Sequence, residues 1–285
     1  MVDCVPILRR GVPGLIPDAW IVDPGGAAAA PPVVAVHGIN RGAKEMAFHL
    51  LAQARVTGRV VVIPHFDTTH WPRYQRAACK NRSDWALLRL IKELRCEGRI
   101  GPDVFDLSGF SGGAQFAHRF AWLYPSLVGR LCLTAPGWWT FPDVAASWPY
   151  GMGAAPRDKG TGFKLQANLG QFANRQIVVC VGGDDVQRDD NLRQGRAIDA
   201  QQGPHRFARA QRWCADIDAV ARMQGIVPAI SLRVLQGCAH SFSDCVTAGR
   251  LDQHFIQPIA SSVDVRAVSY RDEATTTPTN ERIAA

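Results

Sequence analysis

Val33-Val34-Ala35-Val36 is apolar at every position, and further strand-like runs, mostly apolar, recur at 59–64, 104–107, 131–135, 177–181 and 230–235. A strand with one wet face alternates apolar and polar side chains. A strand that is apolar throughout has both faces covered, as in a mostly parallel sheet between two layers of helices. Helical spacing fills the intervals. Met46, Leu50, Leu51 and Ala54 share a face over 43–56, and Trp85, Leu88, Ile91 and Leu94 share one over 83–97, with Ser83 as its expected cap. Further helices are expected over 112–123 and roughly 205–224, and an early strand at 19–22. The class implied is α/β, with helices on both faces of the sheet. With 285 residues the chain reads as one domain over 1–271. A tail at 272–285, with Thr275-Thr276-Thr277-Pro278-Thr279, is expected to be disordered. Ligands of such sheets bind beyond the carboxyl ends of the strands, so the residues just after each strand are the candidates for chemistry.

The most telling of these junctions is Gly109-Phe110-Ser111-Gly112-Gly113, between an apolar run and a helical pattern. A serine on a tight strand-to-helix turn needs small residues two before and two after it, and the helix amides then face any negative charge that develops there. A serine hydroxyl is a poor nucleophile at neutral pH without a base. His240, in the loop Gly237-Cys238-Ala239-His240 after the last strong strand, is the expected base. The loop Gly182-Gly183-Asp184-Asp185 offers the carboxylate that would orient it, and Asp185, three residues past Gly182, is preferred to Asp184. Two backbone N–H groups would hold an oxyanion: that of Gly112, and one from His37-Gly38-Ile39-Asn40, taken as Ile39. His37 itself stands too early in the order serine, aspartate, histidine to be the base and is read as structuring its loop. His118 and Arg119, about two helical turns past Ser111, are read as structural.

Residues 137–172 break the alternation with glycine, proline and aromatic residues, and are expected to form a lid-like insertion after the sixth strand. Trp138 and Trp139 from that segment, and His65 and Phe66 from a strand end, are the candidate substrate-binding residues. Neither the His65–His70 stretch nor Cys238 with Cys245 has the paired spacing of a zinc site, so no metal is expected. No phosphate-cradling or dinucleotide-binding glycine motif occurs, and no cofactor is expected. Net charge is +7, but no stretch gathers five basic residues, which argues against a nucleic-acid groove. No apolar run is long enough to span a membrane. The N-terminus lacks the pattern of a signal peptide, and eight cysteines without a Cys-x-x-Cys pair read as free thiols, so a cytoplasmic setting is expected.

The order Ser111, Asp185, His240, with His37-Gly38 upstream, resembles the α/β-hydrolase superfamily over roughly residues 19–260. The stretches 109–120 and 135–142 are more closely similar to bacterial polyhydroxybutyrate depolymerase-like and feruloyl-esterase-like hydrolases. The resemblance implies an α/β-hydrolase fold and a serine hydrolase acting on small or oligomeric carboxylic esters through an acyl-enzyme. An amidase, a peptidase, an acyltransferase and a non-catalytic binding protein of the same fold are the alternatives.

Overall fold

The apolar runs do become neighbouring strands of one sheet. A computed structural model of the chain describes residues 5–25, 30–101, 104–156 and 158–257. In chain order the main elements are β1 (Ile7–Arg9), β2 (Asp18–Val22), β3 (Val33–Val36), α1 (Ala43–Thr57), β4 (Val61–His65), α2 (Ser83–Cys96), β5 (Phe105–Phe110) and α3 (Gly112–Leu123). They continue with β6 (Val128–Thr134), α4 (Lys159–Ala173), β7 (Gln176–Gly182), α5 (Arg196–Gln202), α6 (Arg206–Met223), β8 (Ile230–Leu235), α7 (Phe242–Thr247) and α8 (Leu251–Ile256). The sheet order is β1-β2-β4-β3-β5-β6-β7-β8. β2 runs antiparallel to β1 and β4, and every pair from β4 across to β8 is parallel.

Alternate residues of each central strand enter different cores. Val34, Val36, Leu107, Leu131 and Val179 pack with α2, α3, α4 and α6 on one face. Val33, Ala35, Cys132, Val178 and Cys180 pack with α1, α7 and α8 on the other. That two-sided burial is why β3 and most of β7 are apolar, and why the polar residues of β5 are paired inside: Asp106 accepts from Arg59 at 2.7 Å and Ser108 donates to the Phe255 carbonyl at 3.1 Å. α3 lies deepest, with all twelve of its residues buried. The tail expected from residue 272 lies outside the described residues.

Two expectations are corrected here. Ser83 does not cap α2: its hydroxyl is buried and donates to the carbonyls of Tyr74 and Ala77, and Arg82 holds the cap position in a left-handed conformation. The buried face of α2 is Leu87, Leu90, Ile91 and Leu94, while Trp85 is exposed beneath the Arg82 guanidinium, 3.6 Å from its ring centre.

The segment after β6, expected to form a lid-like insertion, packs largely into the core. Its second half is α4, and Trp139, Phe141, Met152 and Leu165 belong to the core behind α3. Buried backbone without secondary structure must find hydrogen-bond partners, and side chains of the surrounding helices supply them. Gln202 grips Trp139 at both N–H (2.8 Å) and C=O (3.0 Å). His118 accepts from the Thr140 N–H at 3.0 Å, and the Trp213 indole donates to the Thr140 carbonyl at 2.9 Å. Arg209 donates to the Gly137 carbonyl.

Candidate active site

The junctions at the carboxyl ends of β3, β5, β7 and β8 meet over one cleft. Ser111, between β5 and α3, has φ +52° and ψ −114°, a conformation that L-residues seldom adopt. The turn is possible because of what flanks it. A β-carbon on Gly113 would sit 1.9 Å from the Val36 carbonyl oxygen, and one on Gly109 would sit 2.4 Å from the Gly113 backbone. The serine N–H is fixed by the Thr134 carbonyl of the neighbouring strand at 2.8 Å.

Ser111 Oγ is 3.0 Å from His240 Nε2, and His240 Nδ1 is 2.8 Å from Asp185 Oδ2. A carboxylate can only accept, so Nδ1 carries the ring proton and Nε2 is free to accept from the serine hydroxyl. The loops bearing these groups are tied together at their bases: the Gly183 N–H bonds the Leu235 carbonyl at 2.9 Å, and the Asp184 N–H bonds the Cys238 carbonyl at 3.0 Å. Phe110 stacks on the His240 ring at 5.1 Å between centres. Asp185 is buried whereas Asp184 is exposed, which distinguishes two neighbours that composition alone could not.

His37 explains the shape of the loop after β3. Its Nδ1 lies 2.8 Å from the Gly38 carbonyl and its Nε2 accepts from the Phe66 N–H at 3.1 Å, so the proton is on Nδ1 and the ring is neutral. Burial pushes its pKa down to about 3, which agrees with that assignment. The Gly38 carbonyl also accepts from the Arg41 N–H at 3.0 Å. With that carbonyl held on one side, the trans peptide aims the Ile39 N–H to the other. A β-carbon on Gly112 would lie 3.2 Å from the Ile39 nitrogen, so these two amides border the same space. Among the described residues neither N–H has an acceptor.

The cleft has a volume of about 290 Å³. Ile39, Met46, Phe110 and Phe242 give it an apolar side, and Glu45 and Asn191 a polar one. The four expected substrate-binding residues do not line it. Phe66 is buried and stacked on Tyr74 at 5.3 Å. His65 faces a different depression, formed with Trp20 and Lys44. Trp138 lies under the Arg119 guanidinium at 4.0 Å, and Trp139 stacks on Trp213 at 4.2 Å. The aromatic content of this irregular segment serves packing: Trp139 belongs to the core beside α3, and Trp138 sits against Arg119 and Tyr150.

Arg206 was not foreseen. It is 1% exposed, opens α6, donates to Asp185 Oδ1 at 3.3 Å, and grips Asp189 through two bonds of 2.6 and 2.9 Å. No spacing links residue 206 to residue 185 in the sequence. The only signal is an arginine at the start of a helix shortly after an aspartate-rich loop.

Comparison with solved structures shows the same architecture elsewhere. The chain superimposes on poly(aspartic acid) hydrolase-1 from Sphingomonas sp. KT-1 with a TM-score of 0.73 and 21% identity, over 88% of this chain and 98% of that one. For a poly(3-hydroxybutyrate) depolymerase from Bordetella parapertussis the TM-score is 0.66 and the identity 24%, over 78% of each chain. For an S-formylglutathione hydrolase from Agrobacterium tumefaciens the values are 0.56 and 17%, over 87% and 91%. No family model and no curated protein sequence matches the chain. The fold is that of the α/β-hydrolases.

Proposed function

We propose that this protein is a serine hydrolase cleaving carboxylic esters through an acyl-enzyme, with Ser111, His240 and Asp185 as its triad. The observation that carries the reading is the unbroken relay Ser111 Oγ–His240 Nε2 (3.0 Å) and His240 Nδ1–Asp185 Oδ2 (2.8 Å) at a strained strand-to-helix turn. As Ser111 Oγ attacks the ester carbonyl, His240 Nε2 takes its proton, and Asp185 stabilises the imidazolium without itself being protonated. The carbonyl oxygen, now negative, accepts from the N–H groups of Ile39 and Gly112, at the positive end of α3. His240 then gives the proton to the departing alcohol. Water takes the alcohol's place, loses a proton to His240, and releases the acid.

A cleft of about 290 Å³ suits one small acyl unit, with the rest of a longer substrate outside it. Two structural neighbours are named for polymers, poly(aspartic acid) and poly(3-hydroxybutyrate), which fits an oligomer presenting one bond at a time. Among the described residues no helix is long and apolar enough to cross a membrane, and seven cysteines are free. A cytoplasmic setting is consistent with such thiols.

Labelling by a fluorophosphonate, with a panel of p-nitrophenyl esters of increasing acyl length, tests the reading. Wild type should label, and Ser111→Ala should not label and should lose roughly 10³-fold or more in turnover. Short acyl chains should be preferred. Equal labelling of the variant, or no labelling of wild type, would overturn the assignment.

A further inference from the structure

The relay described above leaves one atom unexplained. Asp185 uses Oδ2 for His240, and its other oxygen, Oδ1, has a single side-chain donor among the described residues, Arg206 Nη1 at 3.3 Å. Both side chains are 1% exposed. A guanidinium buried that deeply is costly unless its charge is balanced. The balance comes mainly from Asp189, which takes two N–H groups of Arg206 at 2.6 and 2.9 Å. The hydrogen bonds from Arg206 therefore lower the Asp189 carboxyl pKa. Among the described residues Arg206 Nε is buried with no hydrogen-bond partner, so the arginine is not an optimal filler of its site. The same Asp189 carboxylate accepts from the N–H groups of Asn191 (2.8 Å) and Leu192 (2.9 Å), and Asn191 lines the cleft. One ion pair thus touches the carboxylate behind His240 and the chain segment in front of it.

We propose that Arg206, clamped by Asp189, is a positioning residue that holds the free oxygen of Asp185 and sets how much negative charge His240 experiences. This rests on the hydrolase reading. Held by one oxygen alone, a carboxylate can rotate about its Cα–Cβ and Cβ–Cγ bonds. A second, charged hydrogen bond fixes its plane, and with it the direction in which the imidazole is aimed. The guanidinium also draws on the carboxylate's charge, so the imidazolium formed during turnover is stabilised less than by a lone Asp185. Asp189 acts in the opposite sense by drawing on Arg206. Of the other charged groups near this chain of contacts, Arg188 and Arg209 are both paired with Asp199, at 2.8 and 2.9 Å. Burial pushes the His205 imidazole down, and burial first, with Cys238 next, pushes the Cys245 thiol up to about 12, so both are neutral near pH 7. His37 is neutral as well, and Glu45, Asp184 and Asp244 face solvent or the cleft mouth.

Opposite signs make the test specific. With p-nitrophenyl acetate as substrate, Arg206→Met should lower kcat roughly tenfold with little change in KM. It should also move the acid limb of the kcat/KM profile to higher pH by roughly 0.5 to 1 unit, the size expected for one nearby charge in a partly screened site. Asp189→Asn leaves Arg206 with Asp185 alone, so the limb should move to lower pH, while KM should change little because the asparagine Oδ1 can still accept from the Asn191 and Leu192 N–H groups. Arg206→Lys keeps the charge and loses the two-pronged grip, so kcat should fall while the limb stays in place. A merely structural arginine would move no limb, or move both variants' limbs the same way, and either outcome overturns the inference while fluorophosphonate labelling of wild type leaves the hydrolase reading intact. Wild type that neither labels nor turns over ester defeats the hydrolase reading, and this inference with it. If Arg206→Met does not fold, the lowered limb of Asp189→Asn and the unmoved limb of Arg206→Lys decide.

Discussion

At the scale of single residues, the site depends on what is missing from two positions as much as on what is present at Ser111. The serine's φ of +52° is a strained value, and the surrounding backbone maintains it only because α3 starts close against β3. A methyl group at Gly113 would overlap the Val36 carbonyl oxygen, which lies in a central strand and has no freedom to retreat. Gly113→Ala should therefore cost about 2–4 kcal/mol in urea unfolding, at the upper end for an overpacked core position. Fluorophosphonate labelling should fall with it even where the variant remains folded, because α3 must back away and carry the Gly112 N–H with it. Normal labelling in a folded Gly113→Ala protein would show that the turn is looser than its geometry implies. His37 illustrates the converse, a residue whose type suggests catalysis and whose hydrogen bonds assign it to holding Gly38 and Ile39 in place.

At the scale of elements, the stretch after β6 behaves as part of the core. Trp139 and Thr140 are bound through their backbone groups to Gln202, His118 and Trp213, side chains from α5, α3 and α6. Their amides should exchange with solvent deuterium as slowly as those of β6, and Trp213→Ala should destabilise the protein by about 3–5 kcal/mol and release that protection. Fast exchange at 138–141 in the wild type would restore the picture of a mobile cover. The strands, their two-sided burial and the junctions carrying Ser111, Asp185 and His240 were visible because each depends on local pattern: continuous apolar runs, small residues around a turn, a glycine before a loop. The role of 137–153 was not visible. Its order comes from side chains some 20 to 75 residues away in sequence, and nothing local distinguishes a tryptophan that faces a ligand from one that faces a helix. Arg206 was missed for the same reason, since its partners are set by how α6 docks beside β7. Ser83 departs from the cap rule because that rule describes an exposed helix start, and this one is buried against Tyr74 and Ala77.

For the molecule as a whole, the two buried histidines make acid the condition to which the fold is most exposed. Burial holds His37 down to about 3 and His118 well below its ordinary value, and each accepts a backbone N–H on Nε2 that a proton would displace. His205 and His254 are shifted in the same direction, first by burial. In the unfolded chain these imidazoles take up protons as pH falls through about 6.5, while in the folded protein His37 does not until about 3. The unfolded state then binds more protons, so stability is fully present above about 6.5 and declines as the solution is acidified. Each fully shifted histidine contributes a slope of about 1.4 kcal/mol per pH unit across that window. Asp18, Asp67, Asp189 and Asp199 have lowered pKa values and add to the loss as the pH approaches 4, and Glu97, held down first by its bond from Arg9, does so somewhat earlier. The upper part of the interval from pH 6 to 4.5 therefore belongs mainly to the histidines. Urea unfolding there should show stability falling with the slope of at least two protons. His118→Gln should fold with less stability at pH 7.5 yet lose about one proton from that slope, so the curves of variant and wild type converge as pH drops. Parallel curves would mean that His118 protonates in the native state without penalty, which its bond from the Thr140 N–H does not permit.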